Sequence, residues 1–170
     1  MGKRHKTIVT HLEMRAEPRL LATPRPRGAC ALLRAAKPPL HFYRYLYDTV
    51  GRDYAWVSRR KLSDEELASI IHDDNVEIYV LYLDGAPVGF TELDFRGMPD
   101  AELSFLGIIP ERIGEGLGRF LLGEAISLAW ARHPARLIVQ TCTLDHPRAL
   151  RLYQRAGFTP YGQSEAEFDE

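Results

Sequence analysis

Leu106-Gly107-Ile108-Ile109-Pro110-Glu111-Arg112-Ile113-Gly114-Glu115-Gly116-Leu117-Gly118-Arg119-Phe120-Leu121-Leu122 is the stretch on which the reading of this chain turns. An apolar run ends at a proline, three glycines alternate, and a helical period then takes over. Glycines between a strand and a helix leave a backbone with little side-chain obstruction. Its N–H groups and the helix N-terminus face outward together, which suits a phosphate or pyrophosphate. A plain glycine turn entering a helix accounts for the glycines equally well. Two known phosphate loops do not fit. The Walker loop needs Lys-Ser/Thr after its last glycine, where this chain has Arg119-Phe120. The dinucleotide fingerprint needs its third glycine one residue later than Gly118.

Upstream of this joint, three consecutive strands are expected at 77–83, 87–93 and 101–109, the first two joined at Asp84-Gly85, a hairpin signal. Ser63 with Glu66 three residues on makes a capping box, so a helix runs from there to about residue 72. Residues 40–50, dense in aromatics, read as a helix stopped at Gly51. Residues 29–34 read as a strand and 7–15 as an edge strand, with the proline-rich run 18–26 as connector. Downstream, a helix at 117–132 is followed by a strand at 136–141, a helix at 146–156 with Asp145 as N-cap, and a short strand at 158–161. The expected fold is α/β: a mixed, mostly antiparallel central sheet flanked by helices.

The 170 residues, 45% hydrophobic and 26% charged, have the balance of a globular protein of one-domain length. Uncharged runs fall short of a membrane span, and the N-terminus has no apolar core or cleavage site of a secretory signal. Cys30 and Cys142 are too few for a disulfide framework and lack zinc spacing, so a reducing cytoplasmic compartment is expected. Charge is uneven along the chain. The first 40 residues carry nine Lys and Arg against Glu13 and Glu17, and the remainder has an acidic excess. Mutual neutralisation in the fold is the plainer reading of this asymmetry. An RNA-binding arm is the alternative, although no aromatic-interleaved basic stripe supports it.

Two segments together carry a resemblance. Leu106 to Leu122 is similar to the acetyl-CoA motif of the GNAT superfamily of N-acetyltransferases, and Ala149-Leu150-Arg151-Leu152-Tyr153-Gln154-Arg155-Ala156-Gly157-Phe158 resembles that family's C-terminal motif. The resemblance implies a GNAT-like acyl-CoA N-acyltransferase fold, acetyl-CoA as acyl donor, and a primary amine of a small molecule, peptide or protein as acceptor. It implies a single acyltransferase domain over 1–170, with an N-terminal strand and connector at 1–28, acceptor-side helices at 39–72 and an acyl-CoA-binding core at 76–162. The cofactor residues it implies are Leu106, Gly107, Ile108, Arg112, Ile113, Gly114, Glu115, Gly116, Leu117, Gly118, Arg119, His146, Ala149 and Tyr153. A homodimer is one assembly compatible with it; no membrane or nucleic-acid partner is expected. Three positions depart from the family pattern: Ile113 stands where Gln or Arg is usual, His146 where Asn is frequent, and Glu115 sets a carboxylate where phosphates sit, against the helix dipole.

Acetyl transfer to an amine needs a base, a donor to polarise the thioester carbonyl, and an acid for the leaving thiolate. Strand period places Glu102, Ser104, Leu106 and Ile108 on one face, with Glu102 where some family members carry their base. Glu92, Asp94 and ordered water are its rivals. Backbone N–H groups near Leu106 or Ile108 are the polarising donors if the strand splays, and Gly107 suits a bulge or a close cofactor approach. By resemblance Tyr153 is the acid, and packing on the sheet is its ordinary alternative. Phe42, Tyr43, Tyr45, Tyr47, Tyr54 and Trp56 form either core or a cage for a cationic acceptor. His41, His72 and His133 show no ligand spacing, and no metal is expected. An acetyl-CoA-binding module without catalysis is the competing function.

Overall fold

The computed structural model describes residues 2–19 and 23–169. Its elements in chain order are β1 (Arg4–Met14), β2 (Cys30–Arg34), α1 (Leu40–Gly51), α2 (Asp64–Ile71), β3 (Val76–Leu83), β4 (Ala86–Asp94), β5 (Asp100–Ile108), α3 (Leu117–Trp130), β6 (Arg136–Cys142), α4 (Ala149–Ala156) and β7 (Thr159–Asp169). A single 3₁₀ turn, Pro110–Arg112, links β5 to the glycine loop. Local chemistry explains the short-range joints. Asp84 and Gly85 both have positive φ, 51° and 85°, the hairpin geometry that matches strand twist. The capping box forms in full: Ser63 Oγ accepts from the Glu66 N–H, and Glu66 accepts from the Ser63 N–H, each at 3.2 Å.

One seven-stranded sheet runs in the order β2-β3-β4-β5-β6-β1-β7. All pairs are antiparallel except β5–β6. β1 is therefore not an edge strand. It lies between β6 and β7, with Leu12 and Met14 buried against α3 and α4. The edges are β2 and β7, and β7 is an exposed strand of 11 residues rather than the expected short one. The basic N-terminal segment is matched by acids of β7: Arg4 pairs with Glu167 and Asp169, and Lys6 with Glu167, at 3.5–4.0 Å.

Two helical layers cover the sheet. On one face, Tyr43, Leu46, Tyr47 and Val50 of α1 and Leu67 and Ile71 of α2 bury against Ile78, Val80 and Phe90. On the other, α3 buries Leu122, Ala125, Ile126 and Ala129 against Leu12, Leu93, Leu103, Leu137 and Val139. A buried Leu or Phe in such layers contributes ~1.5–3 kcal/mol, so these two faces dominate the stability of the fold. α4 begins later than expected. Arg148 is its N-cap, and Asp145 instead accepts from Thr141 Oγ1 (2.8 Å) and the Cys142 N–H (2.9 Å), pinning the end of β6. No helix among the described residues is long and apolar enough to cross a membrane.

Candidate active site

The parallel strands β5 and β6 pair only from Asp100↔Arg136 to Leu103↔Val139. Beyond that β5 continues to Ile108 and β6 to Cys142 with no register between them. They splay, and the β6-facing backbone groups of residues 104–108 are left without a strand partner. The gap opens into a cleft of about 810 Å³, within the range of small-molecule sites. One bank is β5 with the glycine loop and the start of α3; the other is β6 with Asp145, His146 and α4.

On the bank formed by β5 and α3, the glycine loop is built for backbone donation. Gly114 and Gly116 have φ of 93° and 79°, a region that L side chains enter at a cost of ~1–2 kcal/mol. Gly116 is the N-cap of α3, and no side chain caps the helix, so its first-turn N–H groups face the cleft unsatisfied. Among the described residues Arg119 makes no ion pair, and Arg119 and Arg148 both line the cleft. Glu115 alone of the expected cofactor residues does not line it. Its carboxylate lies 2.8 Å from Arg112 Nε, an ion pair rather than an aligned hydrogen bond, and so carries its own counter-charge. Leu106, Gly107, Ile108, Ile113, Gly114, Gly116, Leu117, Gly118, His146, Ala149 and Tyr153 all reach the cleft wall.

A bulge rearranges the face of β5 turned to α1. Glu92 pairs with Phe105 but Leu93 with Leu103, so Ser104 is the extra residue and the side-chain phase reverses across it. Glu102 therefore does not share a face with Leu106 and Ile108, as strict alternation predicts. It lies with Phe105 and Gly107 on the α1 face, beside Asp94, while Leu106 and Ile108 pack toward α3. Gly107 is not the bulge. A Cβ there would collide with Val50 of α1 and come within 3.3 Å of Trp56, so this glycine lets α1 close on β5.

Carboxylates crowd this face, and two are already engaged. Glu92, fully buried, accepts from Tyr43 Oη (2.6 Å) and Arg59 Nη2 (2.7 Å). Asp94 accepts from the Arg96 N–H, Nε and Nη2 at 2.8–3.2 Å. Those bonds outweigh burial and hold the Asp94 carboxyl below its ordinary range. Glu102 makes no hydrogen bond or ion pair among the described residues. Burial first, and then the charges of Asp94 and Glu92, push its carboxyl up; Arg59 and Arg96 moderate the rise. Tyr153 is 7% exposed, reaches the cleft, and has its hydroxyl pushed up by burial and then by Asp145.

The aromatic residues divide. Tyr43 is sealed core, Tyr45 points to solvent at 53% exposure, and Tyr47, Tyr54 and Trp56 line the cleft. The Tyr54 ring meets His146 edge-on at 6.1 Å, so the segment after α1 reaches across to the far bank. Among the described residues no group of three or more His, Cys, Asp or Glu is placed to hold a metal.

Residues 43–158 match the model of the acetyltransferase (GNAT) family. The chain belongs to the GNAT family. The mycothiol acetyltransferase of Beutenbergia cavernae is 32% identical to it over 97 residues, 57% of this chain and 30% of that protein. A GCN5-related N-acetyltransferase from Sphaerobacter thermophilus superimposes with a TM-score of 0.68 at 16% identity, over 96% of this chain and 51% of that one. The IAA acetyltransferase of Bacillus cereus gives 0.61 at 20% identity, covering 79% of each. This GNAT chain thus spans about a third of the curated relative and half of the first solved structure. These likenesses bear out the mixed α/β GNAT fold. Arg59 and Arg96, both on the cleft wall, escaped the sequence reading. No period marks them, and only the folded sheet brings them to Glu92 and Asp94.

Proposed function

We propose that this GNAT chain transfers an acetyl group from acetyl-CoA to a primary amine by direct attack in a ternary complex. The observation that carries the reading is a single cleft holding four features: the uncapped α3 N-terminus, the unpaired edge of β5, the unpartnered Glu102 and the Tyr153 hydroxyl. Acetyl-CoA supplies an activated thioester carbonyl; the rest of the chemistry falls to the chain. The α3 N–H groups, with Arg119 and Arg148, fit a pyrophosphate. Unpaired N–H groups along 104–108 are the donors a developing oxyanion needs.

A lysine-like ammonium of pKa ~10.4 is neutral about once in 10³ molecules at pH 7, a deficit of ~4–5 kcal/mol. Glu102 is the base for that proton, since Glu92 and Asp94 are spent on arginines, and its raised affinity for a proton suits the task. Tyr153, protonated throughout the neutral range, donates to the departing sulfur. A thermal-shift measurement tests the cofactor half of this reading. Acetyl-CoA at ~100 times its Kd adds about 2.7 kcal/mol, a rise of roughly 5–11 °C, while ATP leaves Tm in place. A Tm indifferent to acetyl-CoA defeats the reading.

A further inference from the structure

We propose, resting on the acetyl-transfer reading, that the acceptor is an α-aminoacyl compound, its amine set at Glu102 and the carbonyl or carboxylate oxygen on the adjacent carbon set at Arg59. Charge pairing on the acceptor face leads there. Asp94 and Arg96 satisfy each other in a forked pair closing at 2.8 Å, and Glu92 is satisfied by Arg59 and Tyr43. The carboxylate left over is Glu102, and among the described residues Arg59 and Arg96 each keep Nη1 unused; of the two, Arg59 is the more enclosed, with 15% side-chain exposure against 40%.

Arg59 is built as a binding group. Its side chain is 15% exposed, lines the cleft, and lies over the Phe105 ring at 5.2 Å. Nη2 is tied to Glu92, a carboxylate with no solvent exposure that the buried Tyr43 hydroxyl also holds. A buried layer of this kind fixes the fork in one orientation. Nε is enclosed without a partner, Nη2 is held by Glu92, and the Tyr43 hydroxyl lies against the same guanidinium, which leaves Nη1 as the donor for a ligand. A fixed guanidinium with Nη1 left open in a cleft calls for an oxygen acceptor, and a carbonyl or carboxylate oxygen fits that single donor.

Spacing supports the pairing of the two groups. Phe105, beneath Arg59, and Glu102 occupy neighbouring rows of one sheet face, set by Glu92↔Phe105 and Asp94↔Glu102. Such rows lie about 6.5–7 Å apart, and side chains leaning from both leave room for an amine and an oxygen on adjacent carbons. An alkylamine satisfies Glu102 alone and leaves Arg59 Nη1 empty.

Coenzyme A release with acetyl-CoA, measured for L-alaninamide, L-alanine and isopropylamine at equal free-base concentration, tests the proposal. The wild type is expected to favour alaninamide or alanine over isopropylamine by about tenfold or more in kcat/KM. Whichever of the two is faster shows whether the oxygen comes from an acyl chain or a free acid. In Arg59→Lys, which keeps Glu92 paired to a cation but loses the open Nη1, that ratio should fall toward one. Equal use of all three amines by the wild type overturns the acceptor class and leaves acetyl transfer standing, as does a preference that survives in Arg59→Lys. If Arg59→Lys does not fold, the wild-type ratio alone decides. Absence of release with every amine brings down acetyl transfer and this inference together.

Discussion

Glu102 is held in a position that costs the folded protein something. Its proton affinity is raised in the fold by burial and by Asp94 and Glu92, so the native state binds that proton more tightly than the unfolded chain. The sign follows from linkage. Stability is full below the ordinary glutamate value and falls as pH rises from there through the higher folded value, so at neutral pH the charged group opposes folding. Glu102→Gln is therefore expected to hold or raise Tm, by about 2 °C, while lowering kcat/KM by ~10²-fold or more and abolishing the acid limb of the pH profile. A variant with full activity and an unchanged acid limb removes Glu102 as the base. Tyr153→Phe should lower turnover by ~10²-fold with acetyl-CoA binding intact, because the hydroxyl makes no hydrogen bond among the described residues and its loss leaves the packing on Phe158 in place. Unchanged turnover would return Tyr153 to a packing role.

At the scale of elements, the glycine loop and the bulge do different work. Gly114 and Gly116 are needed for their left-handed backbone, since a Cβ at either would meet nothing within 4 Å. Gly116→Ala should thus strain the α3 N-cap by ~1–2 kcal/mol, seen as a lower Tm and a smaller acetyl-CoA shift than wild type. A variant with the wild-type Tm would mean that the loop relaxes into another geometry. The loop and the helix after it were legible because glycine spacing and the apolar period of Leu117, Phe120, Leu121 and Ala125 are local signals. The bulge at Ser104 was not, because a bulge leaves no mark in the alternation of a strand whose residues are mostly half-buried. It decides that Glu102 faces α1 rather than α3. Asp145 misled for a related reason: a capping residue type was present, but its carboxylate found the Cys142 N–H and the Thr141 hydroxyl first.

Across the whole molecule, the decisive placement is that of β1. Inserted between β6 and β7, it turns Leu12 into a fully buried residue shared by the sheet and α3. Leu12→Ala is expected to cost ~2–5 kcal/mol, a fall in Tm of about 5 °C or more by thermal denaturation. A loss under a degree would fit the edge strand expected from sequence and not the internal one. The same placement sets the basic start of the chain against Glu167 and Asp169. Those exposed pairs contribute little to stability, but they set Arg4 and Lys6, two of the nine basic residues of the first 40, against acids of β7.

Local chemistry by itself determined the helices, the hairpin, the capping box, the glycine loop and the two motifs that resemble the family, because each is written in residues within a few positions of one another. Tertiary structure alone decided the order of the strands, the splay of β5 from β6, and which carboxylate stays free. Those outcomes depend on partners far apart in sequence, such as Arg59 with Glu92 and Val9 with Cys142. The free energy that selects among such pairings is that of burying one whole face of the sheet under each helical layer, which no local window contains.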